Sequence, residues 1–227
     1  MPSTFVGFGF GPIQTGLMLF EAFASGAFDN AVIAEVDQDL VDAVRAAGNK
    51  VSINIAGKDG VRAATLRNCL LCNPRVPADR DRLLRAIAEA TEMATAVPSV
   101  DLYARGAEAS IAALIAEGTR DGRPRIIYAA ENNNYAAEIL AEKVKEHTRG
   151  APPENLQILN TVIGKMSGTV STEEDRQRLG LVPLVSGMGR CVLVEEFNRI
   201  LVTRVTLPGF RRRIAVFQEK DDLLPFE

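Results

Sequence analysis

Residues 5–16 read Phe5-Val6-Gly7-Phe8-Gly9-Phe10-Gly11-Pro12-Ile13-Gln14-Thr15-Gly16, and their reading decides the fold. They form a short apolar strand, a glycine-rich turn and the first turn of a helix. That helix continues through Leu17, Met18, Leu19, Phe20 and Phe23, whose side chains can cover a sheet. Ala31-Val32-Ile33-Ala34-Glu35-Val36 is a second buried strand ending in an acid, 24 residues from Gly11 to Glu35. One helix and one strand with short turns fill that interval, which is the layout of a dinucleotide-binding βαβ unit.

Each residue type has a task in such a unit. Glycines let the backbone turn sharply and let a pyrophosphate approach without a Cβ in the way. The helix N-terminus offers unpaired N–H groups and partial positive charge. Gly9, Gly11, Ile13, Gln14 and Gly16 are therefore the expected pyrophosphate residues, with Gln14 where a third glycine often stands. A carboxylate at Glu35 accepts hydrogen bonds from ribose hydroxyls and repels a 2′-phosphate. No Lys or Arg precedes Arg45, so the pattern favours NAD over NADP.

The chain's 227 residues suffice for a substantial core. A net charge of −3 gives no sign of nucleic acid or an acidic membrane as partner. Three cysteines, an odd number, argue against a disulfide framework and for the reducing cytoplasm. The apolar N-terminus lacks the basic residues of a signal peptide, and Pro12, Gln14 and Glu21 interrupt it before spanning length.

Further along, Asp37 is the expected N-cap of a helix through Leu40, Val41 and Val44 that stops near Gly48. Val51–Ile55 alternates like a half-buried strand, and Val61–Cys69 is its expected antiparallel partner. An amphipathic helix is expected over 79–90, a strand over 91–97 ending at Pro98, a helix up to Gly118, an apolar strand over 125–130 and a helix from Tyr135 to His147. The alternation predicts an α/β, Rossmann-like doubly wound, mostly parallel sheet over residues 1–150. Gly150-Ala151-Pro152-Pro153 reads as a linker. Residues 151–227 read as a C-terminal antiparallel β extension of the same domain, with strands over 156–163, 181–185, 191–194, 201–205 and 214–217. Ligands bind beyond the carboxyl ends of strands in such sheets, where Gly9 to Gly16, Glu35, Val97, Pro98, Glu131 and Asn132 would gather.

Ile126-Ile127-Tyr128-Ala129-Ala130-Glu131-Asn132 resembles the "IIACEN" segment of mannitol-1-phosphate 5-dehydrogenases. Ala34-Glu35-Val36-Asp37-Gln38 resembles their second-strand segment, and Thr95-Ala96-Val97 the loop over their cofactor. Asn160-Thr161-Val162-Ile163-Gly164-Lys165-Met166 is similar to their "NSxVDRI" segment, and residues 220–227 resemble the stretch just before their catalytic signature. The resemblance implies the N-terminal part of a polyol-type long-chain dehydrogenase, moving hydride between NAD and a secondary alcohol of a polyol or sugar phosphate without metal. It implies an amide near the reacting oxygen at Asn132, and Asn160 and Lys165 facing substrate, with Val97 and Pro98 at the nicotinamide. The family's aspartate is Gly164 here and its arginine Lys165, which separates this chain from mannitol 1-phosphate itself.

The family's general base is a lysine in a Lys-x4-Asn-x2-His pattern on a helical second domain. That pattern does not occur in these 227 residues. The chain is therefore expected to lack the helical catalytic domain, to offer it a packing surface, and to hold NAD while turning over poorly. Lys165 is a candidate substitute base, against a surface or phosphate-binding lysine. A non-catalytic NAD sensor or docking module is the alternative. Cys69-Leu70-Leu71-Cys72 reads as a buried pair rather than a zinc site, His147 as a surface residue at a helix end, and Arg211-Arg212-Arg213 as a solvated turn.

Overall fold

The computed structural model describes residues 3–148, 153–196 and 200–221. In chain order the strands are β1 (Thr4–Phe8), β2 (Asn30–Ala34), β3 (Val51–Gly57), β4 (Gly60–Leu66), β5 (Cys69–Cys72), β6 (Glu92–Thr95), β7 (Arg125–Ala129), β8 (Leu156–Ile163), β9 (Ser167–Val170), β10 (Cys191–Glu195), β11 (Ile200–Thr203) and β12 (Gln218–Lys220). The α-helices are α1 (Phe20–Ala24), α2 (Gln38–Ala46), α3 (Pro77–Glu89), α4 (Ile111–Gly118), α5 (Ala136–Glu146) and α6 (Glu173–Arg178). An eight-stranded sheet runs β12-β11-β8-β7-β6-β1-β2-β5. The six strands from β5 to β8 are parallel, β11 is antiparallel to β8, and β12 is parallel to β11. Taking those six in chain order, their arrangement is the doubly wound 3-2-1-4-5-6. The expected α/β class with an antiparallel extension is thus the architecture found, except that β8, expected within the extension, pairs in parallel with β7 and completes the doubly wound core.

Burial on both faces explains why β1 and β7 read as unbroken apolar runs. Phe5, Ile126 and Tyr128 point into one core with Leu17 and Met18, whereas Val6, Phe8 and Ile127 point into the other with α3, α4 and Leu140 of α5. The caps are local. Asp37 accepts from Leu40 N at the start of α2, and α2 ends with Gly48 and Asn49 at positive φ. Arg125, fully buried, finishes α3 from the neighbouring strand. Its guanidinium donates to the carbonyls of Ile87, Ala88 and Ala90 and pairs with Asp121 at 2.6 Å.

A second, four-stranded sheet, in the order β4-β3-β10-β9, packs against the first of these cores and contributes Ile53, Ile55, Val192 and Val194 to it. β3 and β4 form the expected hairpin, and β10 joins β3 in parallel. Residues 61–69 are not one strand. The chain turns at Asn68 (φ 59°), and Cys69–Cys72 leaves the hairpin to pair with β2 as the outermost parallel strand.

The expected strands over 181–185 and 214–217 are absent. Leu184, Val185, Ile214 and Phe217 are buried in the core, so their apolar character reflects burial rather than strand formation. Arg212 also departs from the solvated-turn reading: it donates to Ile214 O, to Phe217 O at 2.7 Å and to Glu219 at 3.2 Å. Arg213 lies 4.7 Å from the Phe28 ring. Most of the expected linker falls outside the described residues, as do residues 222–227.

Candidate functional site

The carboxyl ends of the parallel strands open into a cleft of about 990 Å³, within the usual range for a small-molecule site. Gly9 sits at its floor with φ +84°, and its N–H bonds to Ala34 O at 2.9 Å. A Cβ there would stand 2.7 Å from Ala96 O, so only glycine fits between β1 and the β6 loop. Above Gly11 a Cβ would meet nothing within 4 Å, which leaves the backbone open to the cleft. Pro12 suits the first helical turn, where its missing N–H costs nothing. The helix then runs through a π-helical stretch (Gln14–Leu19) into α1. Such stretches cluster at functional sites.

Gly9, Gly11, Ile13, Glu35, Val97, Pro98, Asn132, Asn160 and Lys165 all line this cleft. Gln14 and Gly16 do not. Gln14 is fully buried beneath the turn, its amide filling the space that Gly7 leaves. Gly16 faces the second sheet, where a Cβ would stand 2.5 Å from Val194 Cγ1. Both shape the helix from behind. Ser167 fastens the same junction, its hydroxyl donating to Pro12 O at 2.8 Å.

Glu35 follows β2 directly. Its Oε2 accepts from Phe10 N (3.0 Å) in the glycine turn, and its Oε1 accepts from Val36 N (2.7 Å) and Asp37 N (2.9 Å). The carboxylate is thus fixed at the cleft, with acceptor capacity left for a ligand hydroxyl. Asn160 is already engaged: it caps α5 by accepting from Ala137 N at 2.9 Å, and its amide donates to Glu138. Asn132 is exposed at the end of β7.

Lys165 has a fully buried side chain, 3.4 Å from Glu21 and 5.5 Å from the Phe20 ring centre. Burial lowers its pKa, with the Glu21 charge opposing; burial likewise raises Glu21, with Lys165 opposing.

Glu131, expected at this edge beside Asn132 but given no task there, forms part of one wall. Its Oε1 accepts from Val97 N (3.0 Å), and its Oε2 accepts from Thr95 Oγ1 (2.9 Å) and from the buried Tyr103 hydroxyl. One carboxyl group thereby ties the ends of β6 and β7 to the short helix Val100–Ala104. Burial raises its pKa against these donors, and burial followed by the Glu131 charge pushes the Tyr103 phenol well up. A glutamate directly after an unbroken apolar strand was the available signal. No group of three or more His, Cys, Asp or Glu side chains suited to a metal ion occurs among the described residues.

No protein-family model matches the chain, and no curated protein matches it. Solved structures do. A substrate-free D-sorbitol dehydrogenase matches with a TM-score of 0.71 at 13% identity, over 96% of this chain and 54% of the other. A Pseudomonas fluorescens mannitol 2-dehydrogenase, in ternary complex with NAD and D-mannitol, matches at 0.68 and 11%, over 98% and 54%. An octopine dehydrogenase in complex with NADH and agmatine matches at 0.57 and 12%, over 96% and 48%.

The fold is similar to that of Rossmann-like dehydrogenases. This chain spans about half the length of these dehydrogenases. At such identities the likeness is one of fold. In that fold the cleft described above lies at the switch point between β1 and β6, where the strand order reverses.

Proposed function

We propose that the cleft binds NAD and that the chain is the cofactor-binding part of an oxidoreductase acting on a secondary alcohol of a polyol or sugar phosphate. The observation that carries this reading is the pairing of an open glycine turn with a carboxylate fixed beside it, Gly9 and Gly11 against Glu35. The turn fits a pyrophosphate because Gly11 leaves open space where a side chain would stand, and the backbone and Ile13 frame that space. Glu35 would take the ribose hydroxyls, and Val97 and Pro98 would border the nicotinamide. Bound NAD supplies the hydride acceptor for alcohol oxidation.

Asn132, Asn160 and Lys165 are the proposed substrate-side residues, with Asn132 and Lys165 the catalytic candidates. Asn132 is the residue best placed to donate a hydrogen bond to a developing charge, since its amide lies exposed at the cleft. Gln14 and Gly16 act through packing behind the turn. The polyol reading draws support from the sorbitol and mannitol dehydrogenase structures, and a cytoplasmic setting from three free, buried cysteines. The non-catalytic NAD-binding module gains from one observation: Lys165 is held by Glu21 inside the protein.

NADH fluorescence titration tests the cofactor reading. Saturable enhancement is the expected result, and its absence overturns it. Addition of NAD with a panel of polyols and sugar phosphates then separates the two readings. NADH production that falls in Asn132→Ala supports the enzyme and contradicts the module.

A further inference from the structure

We infer that Arg190 is an oxyanion-binding residue of the cleft, receiving a phosphate or carboxylate group of the molecule that occupies it. Arg190 stands immediately before β10, and its carbonyl accepts from Leu184 N at 2.8 Å, which fixes the loop that carries it. Arg190 is among the residues lining the same cleft as Gly11 and Glu35. Two of its nitrogens, Nε and Nη2, are buried with no hydrogen-bond partner among the described residues.

These two nitrogens form one edge of the guanidinium and point their N–H bonds in the same direction. That edge matches two oxygens of a carboxylate or phosphate. A guanidinium keeps its charge throughout the accessible pH range, so it cannot relieve burial by losing a proton as a lysine can. Buried donors without acceptors are costly, and an oxyanion removes that cost while matching the charge.

Other groups in and near the cleft do not share these properties. Lys165 has Glu21 as its partner, and Arg75 and Arg105 are exposed to water. Gln14 is also buried and unpaired, yet it is neutral and faces Gly7 and Ile33 in the core. Arg190 alone among the cleft's four cations combines charge, buried donors and no acceptor.

The inference rests on the NAD reading only for which molecule carries the oxyanion: a phosphate of the cofactor or an acidic group of the substrate. Inorganic phosphate probes the site without either. It is titrated by calorimetry and thermal melting into the full chain, wild type against Arg190→Met and Arg190→Lys. Phosphate is expected to bind wild type and raise its melting temperature. Affinity should fall by about tenfold or more in Arg190→Met, and by less in Arg190→Lys, which keeps the charge but not the fork.

Without phosphate, Arg190→Met should melt no lower than wild type, since the variant removes unpaired buried donors; an arginine with a purely structural role would melt lower when replaced. Wild type that does not bind phosphate, or binds it no better than either variant, overturns the inference. If Arg190→Met fails to fold, the comparison with Arg190→Lys decides alone. Phosphate that competes with NAD identifies the cofactor as carrier, and phosphate that binds beside saturating NAD identifies the substrate. Arg190-dependent phosphate binding without any NAD binding overturns the cofactor reading and leaves this one standing.

Discussion

The two edges of the parallel sheet carry the same chemical device and put it to different uses. At the carboxyl edge, Glu131 is buried against the Tyr103 hydroxyl and holds the backbone of Val97, a cleft residue. At the opposite edge, Glu92 is buried against the Tyr128 hydroxyl at 2.7 Å and holds the backbone of Arg213, in the segment that folds under the sheet. In both cases burial raises the carboxyl pKa while hydrogen-bond donors oppose it. The difference lies in what the second oxygen grips. Glu131 sets the position of a ligand-facing loop, and Glu92 pins a core plug beside Phe217, whose ring packs edge-on against Tyr128. A buried acid is therefore not in itself a sign of function; its backbone partner decides.

The most severe way to break the carboxyl edge is Gly9→Val. A β-branched residue at φ +84° meets both backbone strain and Ala96 O, so a loss of about 3 kcal/mol or more in urea unfolding is expected. NADH binding should be abolished in the same variant.

Glu131→Gln and Glu92→Gln sharpen the comparison directly. Each should cost about 1–3 kcal/mol, since one acceptor becomes a donor facing buried donors. Only Glu131→Gln should also weaken NADH, by about tenfold, equivalent to about 1.4 kcal/mol. Equal effects on NADH from both variants would erase the distinction between the edges.

The two glutamates also predict a pH dependence. Their folded pKa values lie above the ordinary 4.5, so between that value and the raised ones the folded protein binds more protons than the unfolded chain. Stability should fall as pH rises through that window. Each Gln variant should flatten part of the fall, read from urea midpoints across pH.

The smallest effect is expected at Asp121, which supports Arg125 on the Glu92 side of the sheet. The Arg125 hydrogen bond, ahead of the other influences, lowers its pKa to about 2. This contribution is present above the ordinary 3.8 and is lost as pH falls toward 2. Because Asp121 is partly exposed, Asp121→Asn should cost only about 1 kcal/mol at neutral pH. NADH affinity should be unchanged.

The parallel core was legible because its signals are local: the glycine turn, the acid after β2, the Asp37 cap and the double-sided apolar strands. The second sheet was not. β3 and β10 pair Asn54 with Leu193 across 139 positions, and no local pattern encodes such a partner. Cys69 was read as the end of the hairpin, and β5 was not foreseen, because a turn at Asn68 separates two runs of similar texture. Gln14 was read as a stand-in for a glycine by its place in the motif. Its inward orientation depends on the room left by Gly7, seven residues earlier and on a different element. Glu131 was expected at the ligand edge but its tethering role was not, and Arg190 was missed altogether, for a shared reason. Burial of a charged group is decided by tertiary surroundings, and the sequence displays the charge without them.

The measurement that bears most directly on the central claim is calorimetric titration of wild type and Glu35→Ala with NAD and, separately, NADP. Micromolar-range NAD binding that exceeds NADP binding and weakens at least tenfold in Glu35→Ala is the predicted result, about 1.4 kcal/mol or more lost with one carboxylate. Absence of NAD binding, or NAD affinity indifferent to Glu35, would contradict it and leave the glycine turn as a structural element of the sheet.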